Sequence, residues 1–542
     1  MKRMKDGKNS MMKNSFPRLE ERDGVIQLLN AEGEPMVLLC GELHNSSSSD
    51  PEYMKRVWPK LRDLGLNCVI ATVSWELVEP EEGRFDFSMV DDLIRSAEAH
   101  GLKLILIWFA TWKNALSTYP PEWVRTDGVR FPRALRRDGT KNRAISCFSS
   151  ECRKLDARAF AALMKHLRKT DSSRTVLMMQ VENEAGLLGT SRDFSPAANE
   201  IFARSIPEEL SRYLCTHRAE LSPWLSEYTD FSALEKSGNW QTVFGDAADE
   251  VFTAYYTAKY INAVAAAGKE EYPIPMFVNA WTVQAPGEPG GVHPSGGPVA
   301  ELHDVWRCAA PDIDVFAPDL YQENFKEECA RYTRLKGNPL LIPEMRRDRW
   351  MTGMILYAVG QGALCVSPFG IDRLGGVKSS SAAPVPEDAV LQDAVKSMGS
   401  RDQSPQLGKT YSLLRNLMPS ILRYRGTNHM KGILQDSFRA HYLSFEKYDF
   451  RIVWLLPGAE MDIPGGGFII ETGPDDFLIA GIGFRAEVLP KKHAYAELLT
   501  VEEGRFEGET WKRSRRRNGD DLYLGMEVFE PSLLKTRIYS FD

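Results

Sequence analysis

The chain has 542 residues, 43% of them hydrophobic and 26% charged, and its 67 basic against 74 acidic side chains give a net charge of −7. It is long enough for one large domain and a smaller companion, since an ordinary domain takes about 100–200 residues. The acidic balance argues against a general nucleic-acid binder, which needs a basic face, and no apolar run approaches the roughly 18–20 residues of a membrane span.

The first 16 residues carry Lys2, Arg3, Lys5, Lys8 and Lys13 but no apolar segment, so they read as a flexible tail without a secretion signal as written. Eight cysteines without CxxC spacing favour a reducing compartment. A cytoplasmic location is expected, and a periplasmic one if the true start lies elsewhere, for example at Met11 or Met12.

From residue 36 one grammar repeats: a short apolar β-branched run, a polar loop, then a helical stretch. The runs are 36–40, 68–72, 104–108, 176–180, 275–279, 315–319, 340–343 and 363–367. Helix candidates lie at 51–64, 89–100, 150–168, 247–267, 325–335 and 349–360, with 411–422 closing the series. Alternation of this kind implies parallel strands with crossover helices. Eight strands, with neither GxGxxG nor GxxxxGK[ST] after the first, point to a closed (β/α)8 TIM barrel rather than an open doubly wound sheet.

The glycine cluster 287–297 reads as a mobile loop at the barrel mouth, and 379–386 as a loop insertion. After about Gly426 the helices stop: runs at 450–456, 467–470, 477–482, 522–528 and 536–540, separated by turn residues, indicate an antiparallel β-sandwich. Lys512, Arg513, Arg515, Arg516 and Arg517, followed by Asn518-Gly519-Asp520-Asp521, read as a solvated hairpin tip. The fold class is α/β, a barrel over 17–426 followed by a smaller sandwich over 427–542.

Functional groups of such a barrel collect at the carboxyl ends of the strands. The fourth run continues as Gln180-Val-Glu-Asn-Glu-Ala-Gly186, and the seventh as Leu341-Ile-Pro-Glu-Met345. A carboxylate closing a buried strand is costly unless paired, hydrogen-bonded or used. Two such groups across one barrel mouth suit glycosidic bond cleavage, one protonating the leaving oxygen and the other attacking the anomeric carbon. Glu182 shares a face with Glu184 by alternation and is the rival acid.

Asn183-Glu184 with Glu344 resembles the pattern of glycoside hydrolase clan A, whose members are retaining (β/α)8 enzymes. Trp75-Glu-Leu-Val-Glu-Pro-Glu-Glu-Gly-Arg-Phe-Asp-Phe87, Gly41-Glu-Leu-His-Asn-Ser46, Trp108-Phe-Ala-Thr-Trp-Lys-Asn114 and Gly466-Gly-Phe-Ile-Ile-Glu-Thr-Gly473 are similar to motifs of bacterial family 35 β-galactosidases with a small β-sandwich after the barrel. The resemblance implies Glu184 as acid/base, Glu344 as nucleophile, Asn183 on the sugar 2-hydroxyl, Tyr321 orienting the nucleophile, and Glu42 on galactose hydroxyls. Trp75, Trp112, Asn114 and Trp281 would form the pocket wall. The chain departs from the family's Asn-Glu-Tyr-Gly by having Ala185, so position 185 supplies no phenol.

The implied activity is that of a retaining exo-β-galactosidase acting on terminal non-reducing β-D-galactosyl residues of oligosaccharides, xyloglucan fragments being one candidate. The partner is then a β-galactoside oligosaccharide, with neither nucleic acid nor membrane; a homo-oligomer stays open. The rival readings are another clan A activity (β-glucosidase, arabinosidase or glucosaminidase) and a non-catalytic carbohydrate-binding barrel. Trp58, Trp306 and Trp454 read as packing residues. His44 and His293 read as polar loop residues and His303-Asp304 as surface charge. Without HxH or HExxH spacing no metal is expected, no cofactor is needed, and no GxSxG elbow supports a serine nucleophile.

Overall fold

The computed structural model describes residues 16–285, 287–374, 404–455 and 463–542. The amino-terminal tail before Phe16 and the 379–386 insertion lie outside the described residues. Eight parallel strands form the barrel: β1 Leu38–Leu39, β2 Cys68–Ser74, β3 Lys103–Lys113, β4 Val176–Asn183, β5 Met276–Trp281, β6 Val315–Leu320, β7 Leu341–Met345 and β8 Cys365–Pro368. The sheet closes at Glu42, whose backbone bridges Ile70 of β2 on one side and Phe369, just after β8, on the other. All eight expected runs form strands of this one sheet.

Side-chain alternation divides each strand between two cores. In β2, Cys68 and Ile70 point into the barrel while Val69, Ala71 and Val73 face the helices; in β3, Ile105, Ile107 and Phe109 go inward and Leu104, Leu106 and Trp108 outward. Burial on both faces explains why these strands read as continuous apolar runs. An antiparallel sheet of Arg18–Arg22, Val25–Leu29 and Pro35–Met36 precedes β1 and adds Leu28 to the inner core.

The intervening helices are α1 Pro51–Asp63, α2 Ser88–Ala99, α3 Ser150–Thr170, α4 Ala248–Glu271, α5 His303–Ala309, α6 Phe325–Arg334, α7 Met351–Gly360 and α8 Ser404–Tyr424. Asp50 caps α1 by accepting from the backbone N–H of Glu52 and Tyr53, with Pro51 opening the first turn, and Ser149 caps α3 through Cys152 N–H. Every residue of α7 is buried. A helix apolar all round belongs inside a protein, and α7 lies between the barrel and a second body.

Among the described residues that second body holds ten strands: β9 Met430–Leu434, β10 His441–Ser444, β11 Tyr448–Trp454, β12 Gly466–Gly473, β13 Asp476–Ile482, β14 Phe484–Pro490, β15 Tyr495–Glu507, β16 Thr510–Arg517, β17 Met526–Val528 and β18 Ser532–Phe541. One sheet runs β9-β12-β13-β18-β15-β16 and the other β10-β11-β14-β17. Phe450, Trp454, Phe477, Phe484 and Ile538 pack between them. The outer face of the larger sheet meets α7 through glycines: a Cβ on Gly466 would lie 2.4 Å from the Cα of Gly353, and one on Gly360 2.7 Å from that of Gly432. Helix and sheet approach this closely because those side chains are absent.

Three expectations on local structure are corrected. The basic run is strand β16 rather than a turn; Arg513 pairs with Glu502, and Arg515 and Arg517 with Glu503 across the β15–β16 ladder. The glycine loop is pinned, not mobile: Leu187 and Ser295 exchange backbone hydrogen bonds, and Gly189 N–H donates to Gly291 O at 2.7 Å. His303 and Asp304 are buried, the histidine ring packing on Phe316 and Tyr332.

Candidate active site

The ends of β4, β5, β6 and β7 bring their polar residues together. Glu184 directly follows β4 and is buried, its backbone N–H donating to Asn279 Oδ1 of β5 at 3.0 Å. The Nδ2 of the same asparagine donates to Asp319 Oδ2 of β6 at 2.7 Å and to Glu344 Oε1 of β7 at 3.3 Å. Asn279 thus ties both predicted carboxyl residues to one point. Tyr321, just beyond β6, donates its hydroxyl to Glu344 Oε2 at 2.8 Å.

The Asn183 carboxamide lies between Lys113 Nζ (3.1 Å) and Glu344 Oε1 (3.2 Å); with its oxygen toward the lysine and its nitrogen toward the carboxylate, both contacts are hydrogen bonds. Glu344 therefore receives donors from Asn183, Asn279 and Tyr321.

Charge in this pocket is unbalanced. Burial, then the neighbouring Glu344, pushes Glu184 up to about 7, against the opposing pull of Lys113. Glu42 and Asp319 are held well above the usual carboxylate range, first by burial and then by the charge of Glu344. Burial alone would lower the ammonium of Lys113, but Glu344, Glu184, Glu42 and Asp319 together raise it. The arrangement keeps one carboxyl protonated near neutrality beside one surrounded by donors, which is the division of labour an acid and a nucleophile need.

Both carboxylate oxygens of Glu42 lack a hydrogen-bond partner among the described residues, while Glu184 and Asp319 hydrogen-bond to each other.

Of the predicted residues, the structure assembles Glu184, Glu344, Asn183, Tyr321 and Glu42. Trp281 ends β5 half-buried, in register with Asp319 across the β5–β6 ladder. Trp75 is corrected: fully buried, it donates Nε1–H to Glu79 Oε2 at 2.9 Å and packs edge-on against Trp123, so it belongs to the core. Trp112 likewise packs edge-on against Tyr260 of α4, within the core between strands and helices. Asn114 sits in a left-handed turn position (φ +51°) after Lys113, and among the described residues no side-chain hydrogen bond joins it to the carboxylate cluster.

Glu182 does not share the pocket with Glu184. A left-handed backbone at Glu182 (φ +64°) breaks the alternation, and its carboxylate accepts from the backbone N–H of Ala110 (3.3 Å), Thr111 (3.1 Å) and Trp112 (2.7 Å). Beside it Asp156 of α3 accepts from Trp108 Nε1 at 2.9 Å and Thr111 Oγ1 at 2.8 Å. Burial and Asp156 hold Glu182 well above the usual carboxylate range, and the two carboxyls hydrogen-bond to each other.

Sequence reasoning missed Asn279, Asp319 and Lys113. Asn279 closes the fifth run and Asp319 the sixth, so the polar-strand-end signal that found Glu184 was present for both; Lys113 lies inside a quoted motif.

Histidines serve the scaffold. His44 donates from its backbone to Asp372 Oδ1 at 2.9 Å and places its ring Nδ1 3.0 Å from the same oxygen, tying the β1 loop to the β8 loop. His293 sits between Glu250 and Glu288. Among the described residues no cluster of His, Cys, Asp or Glu has the geometry of a metal site, and no helix is long and apolar enough to cross a membrane.

Residues 45–283 match the glycoside hydrolase family 42 model, described as Beta-galactosidase, and residues 407–529 match a model described as a domain of unknown function, DUF5597. The chain is 26% identical over 200 residues to beta-galactosidase BgaA of Thermus sp., covering 34% of this chain and 29% of that protein. It is 42% identical over 78 residues to a beta-galactosidase of Xanthomonas manihotis, covering 14% and 13%. The beta-galactosidase structure from Bacillus circulans sp. alkalophilus aligns with a TM-score of 0.47 at 16% identity over 72% of this chain and 57% of that one. The matched part spans less than a third of the length of these curated relatives. The family 42 match corrects the resemblance to family 35, while the broader clan A glycoside hydrolase type is consistent with it.

Proposed function

We propose that the protein is a retaining exo-β-galactosidase of the family 42 type, hydrolysing terminal non-reducing β-D-galactosyl residues from oligosaccharides, with the barrel over 17–426 as its catalytic unit and the sandwich over 427–542 bracing it through α7. The observation that carries the reading is the buried pair Glu184 and Glu344, bridged by Asn279, one pushed up to about 7 and the other held by three donors. The family match and the names of the relatives support galactose as the sugar.

Glu344 attacks the anomeric carbon while protonated Glu184 gives its proton to the leaving oxygen, forming a covalent galactosyl ester on Glu344. Glu184, now ionised, takes a proton from water, which attacks the same carbon and releases the sugar with its configuration kept. Tyr321 and Asn279 hold the nucleophile in place. Asn183, shared between Lys113 and Glu344, reaches the 2-hydroxyl, and the unpartnered oxygens of Glu42 accept from galactose hydroxyls. Trp281 provides the half-buried ring at the pocket edge. Eight free thiols, none paired, fit a reducing compartment such as the cytoplasm.

A panel of nitrophenyl glycosides with proton NMR of the first-formed sugar tests this. The β-galactoside is expected to be the best substrate and to yield β-galactose first. Dominant cleavage of a β-glucoside or an arabinoside, or α-galactose as first product, overturns the reading.

A further inference from the structure

Asp319 is a buried carboxyl to which the mechanism above gives no part. It is the penultimate residue of β6, 2% exposed, in register with Trp281 of β5 on one side and with Glu344 of β7 on the other. The β6–β7 ladder therefore sets it beside the nucleophile.

One of its oxygens is committed by Asn279. The carboxamide of that residue cannot be turned round, because its Oδ1 accepts from the backbone N–H of Glu184 at 3.0 Å and a backbone N–H only donates. Its Nδ2 then donates to Asp319 Oδ2 at 2.7 Å, where the carboxyl acts as acceptor. Asp319 also meets Glu184, and these two carboxyls hydrogen-bond to each other. Ionised carboxylates only accept, so the contact exists only while the pair holds a proton.

The surroundings decide which member keeps it. The groups that face Asp319 are Glu344 of β7, Glu184 after β4, Glu42 after β1 and Lys113 of β3, with the phenols of Tyr321 and of Tyr332 in α6. Tyr321 gives its hydroxyl to Glu344 and Tyr332 gives its own to the carbonyl of Pro298, so both are occupied elsewhere. Lys113 is shared with Glu344, Glu184 and Glu42. Burial, then the charge of Glu344, holds Asp319 well above the usual carboxylate range. Burial and Glu344 carry Glu184 only to about 7, against Lys113 and the hydrogen bond from Asp319. A donor aimed at a carboxylate favours its charged form.

We propose that Asp319 is a positioning residue for the acid/base, remaining a neutral carboxylic acid that directs its O–H at Glu184. The inference rests on the glycosidase reading. While Glu184 is protonated, it serves Asp319 as acceptor, so its own proton is left for the leaving oxygen. Once that proton has gone, the same O–H steadies the Glu184 carboxylate until water returns a proton to it. Asp319 keeps its own proton throughout the cycle.

Two variants and one spectrum test this. Asp319→Asn has the shape of the neutral acid: its carboxamide oxygen can accept from Asn279 and its nitrogen can donate to Glu184. Asp319→Ala removes the donor. In pH profiles on methyl β-galactoside, Asp319→Ala is expected to move the alkaline limb of kcat/KM up by about one pH unit and to lower kcat about ten- to hundredfold, the worth of a hydrogen bond to a charged group. Asp319→Asn is expected to recover most of that loss with its limb at the wild-type position. If Asp319 were ionised, removing its charge would move the limb of the Asn variant to lower pH; that result, or an Asn variant as impaired as the Ala variant, overturns the proposal. Where Asp319→Ala fails to fold, the limb of the Asn variant decides alone. Infrared difference spectroscopy of the whole protein needs no turnover. At neutral pH the wild-type-minus-Asn spectrum is expected to show the carbonyl band of a protonated carboxylic acid, and a carboxylate band in its place overturns the proposal. Failure to cleave any galactoside would sink the glycosidase reading alone, since the spectrum still reports the proton on Asp319.

Discussion

Glu182 and Glu184 stand two residues apart at the end of one strand, both buried and both with positive φ, yet they serve opposite ends. The carboxylate of Glu182 faces the helical layer and is saturated: three backbone donors and Asp156 leave it nothing to offer a ligand. Glu184 faces a cluster of carboxyls at the strand ends, hydrogen-bonding to Asp319 with both oxygens of Glu42 unpartnered nearby. The difference shows that burial and a raised pKa do not by themselves mark a catalytic group. Position does: Glu184 sits among Asn279, Asp319 and Glu344 at the strand ends, whereas Glu182 is held by the backbone of one neighbouring strand.

Substitutions at the two residues should separate along that line. The largest effect is expected on turnover: Glu184→Gln should lower kcat for a substrate with a poor leaving group by about 10²–10⁴, the range of general acid–base contributions. Steady-state kinetics should show Glu344→Gln losing at least as much, while thermal melts of both variants stay at or above wild type, since removing like charge relieves the pocket. Glu182→Ala should do the reverse. It strands three buried N–H groups and should cost at least about 2 kcal/mol, read as a lower denaturation midpoint. A Glu184→Gln variant with wild-type turnover, or a Glu182→Ala variant with wild-type stability, would erase the distinction.

A smaller effect sharpens the electrostatic side. Glu184 acts as an acid only while protonated, so kcat/KM should fall as pH rises through about 7. Because Lys113 pulls that value down, Lys113→Met should move the alkaline limb to higher pH as it lowers overall activity; a shift to lower pH would contradict the charge arrangement.

The smallest kinetic effect is expected at Trp75, which the motif placed in the pocket wall and the fold places in the core. Trp75→Phe should leave KM for a galactoside unchanged while lowering stability by about 1–3 kcal/mol, as Glu79 loses a buried donor. A raised KM would return Trp75 to the sugar pocket.

Much was legible in the sequence. Runs such as 68–72 and 104–108 are apolar on both faces, a pattern that needs helices outside and side chains inside, so the barrel and its eight strands could be counted from the order of such runs along the chain. Polar residues closing such runs gave Glu184 and Glu344 for the same reason, and the family resemblance added Tyr321. That rule extended to Asn279 and Asp319, whose side chains bind the pair together. What sequence could not supply was direction. Period-two alternation put Glu182 beside Glu184, and only the left-handed backbone at Glu182, next to a register shift between Trp108 and Lys113 of the neighbouring strand, turned it away. Nor could spacing tell that Trp75 and Trp112 pack against Trp123 and Tyr260, because an indole at a strand end looks the same whether it meets a sugar or a helix. The sequence by itself determined which elements form and where charge enters the core, since both follow from local pattern and the cost of burial. Only the tertiary structure decided which buried carboxylates were left short of partners, because that depends on donors contributed by strands distant along the chain.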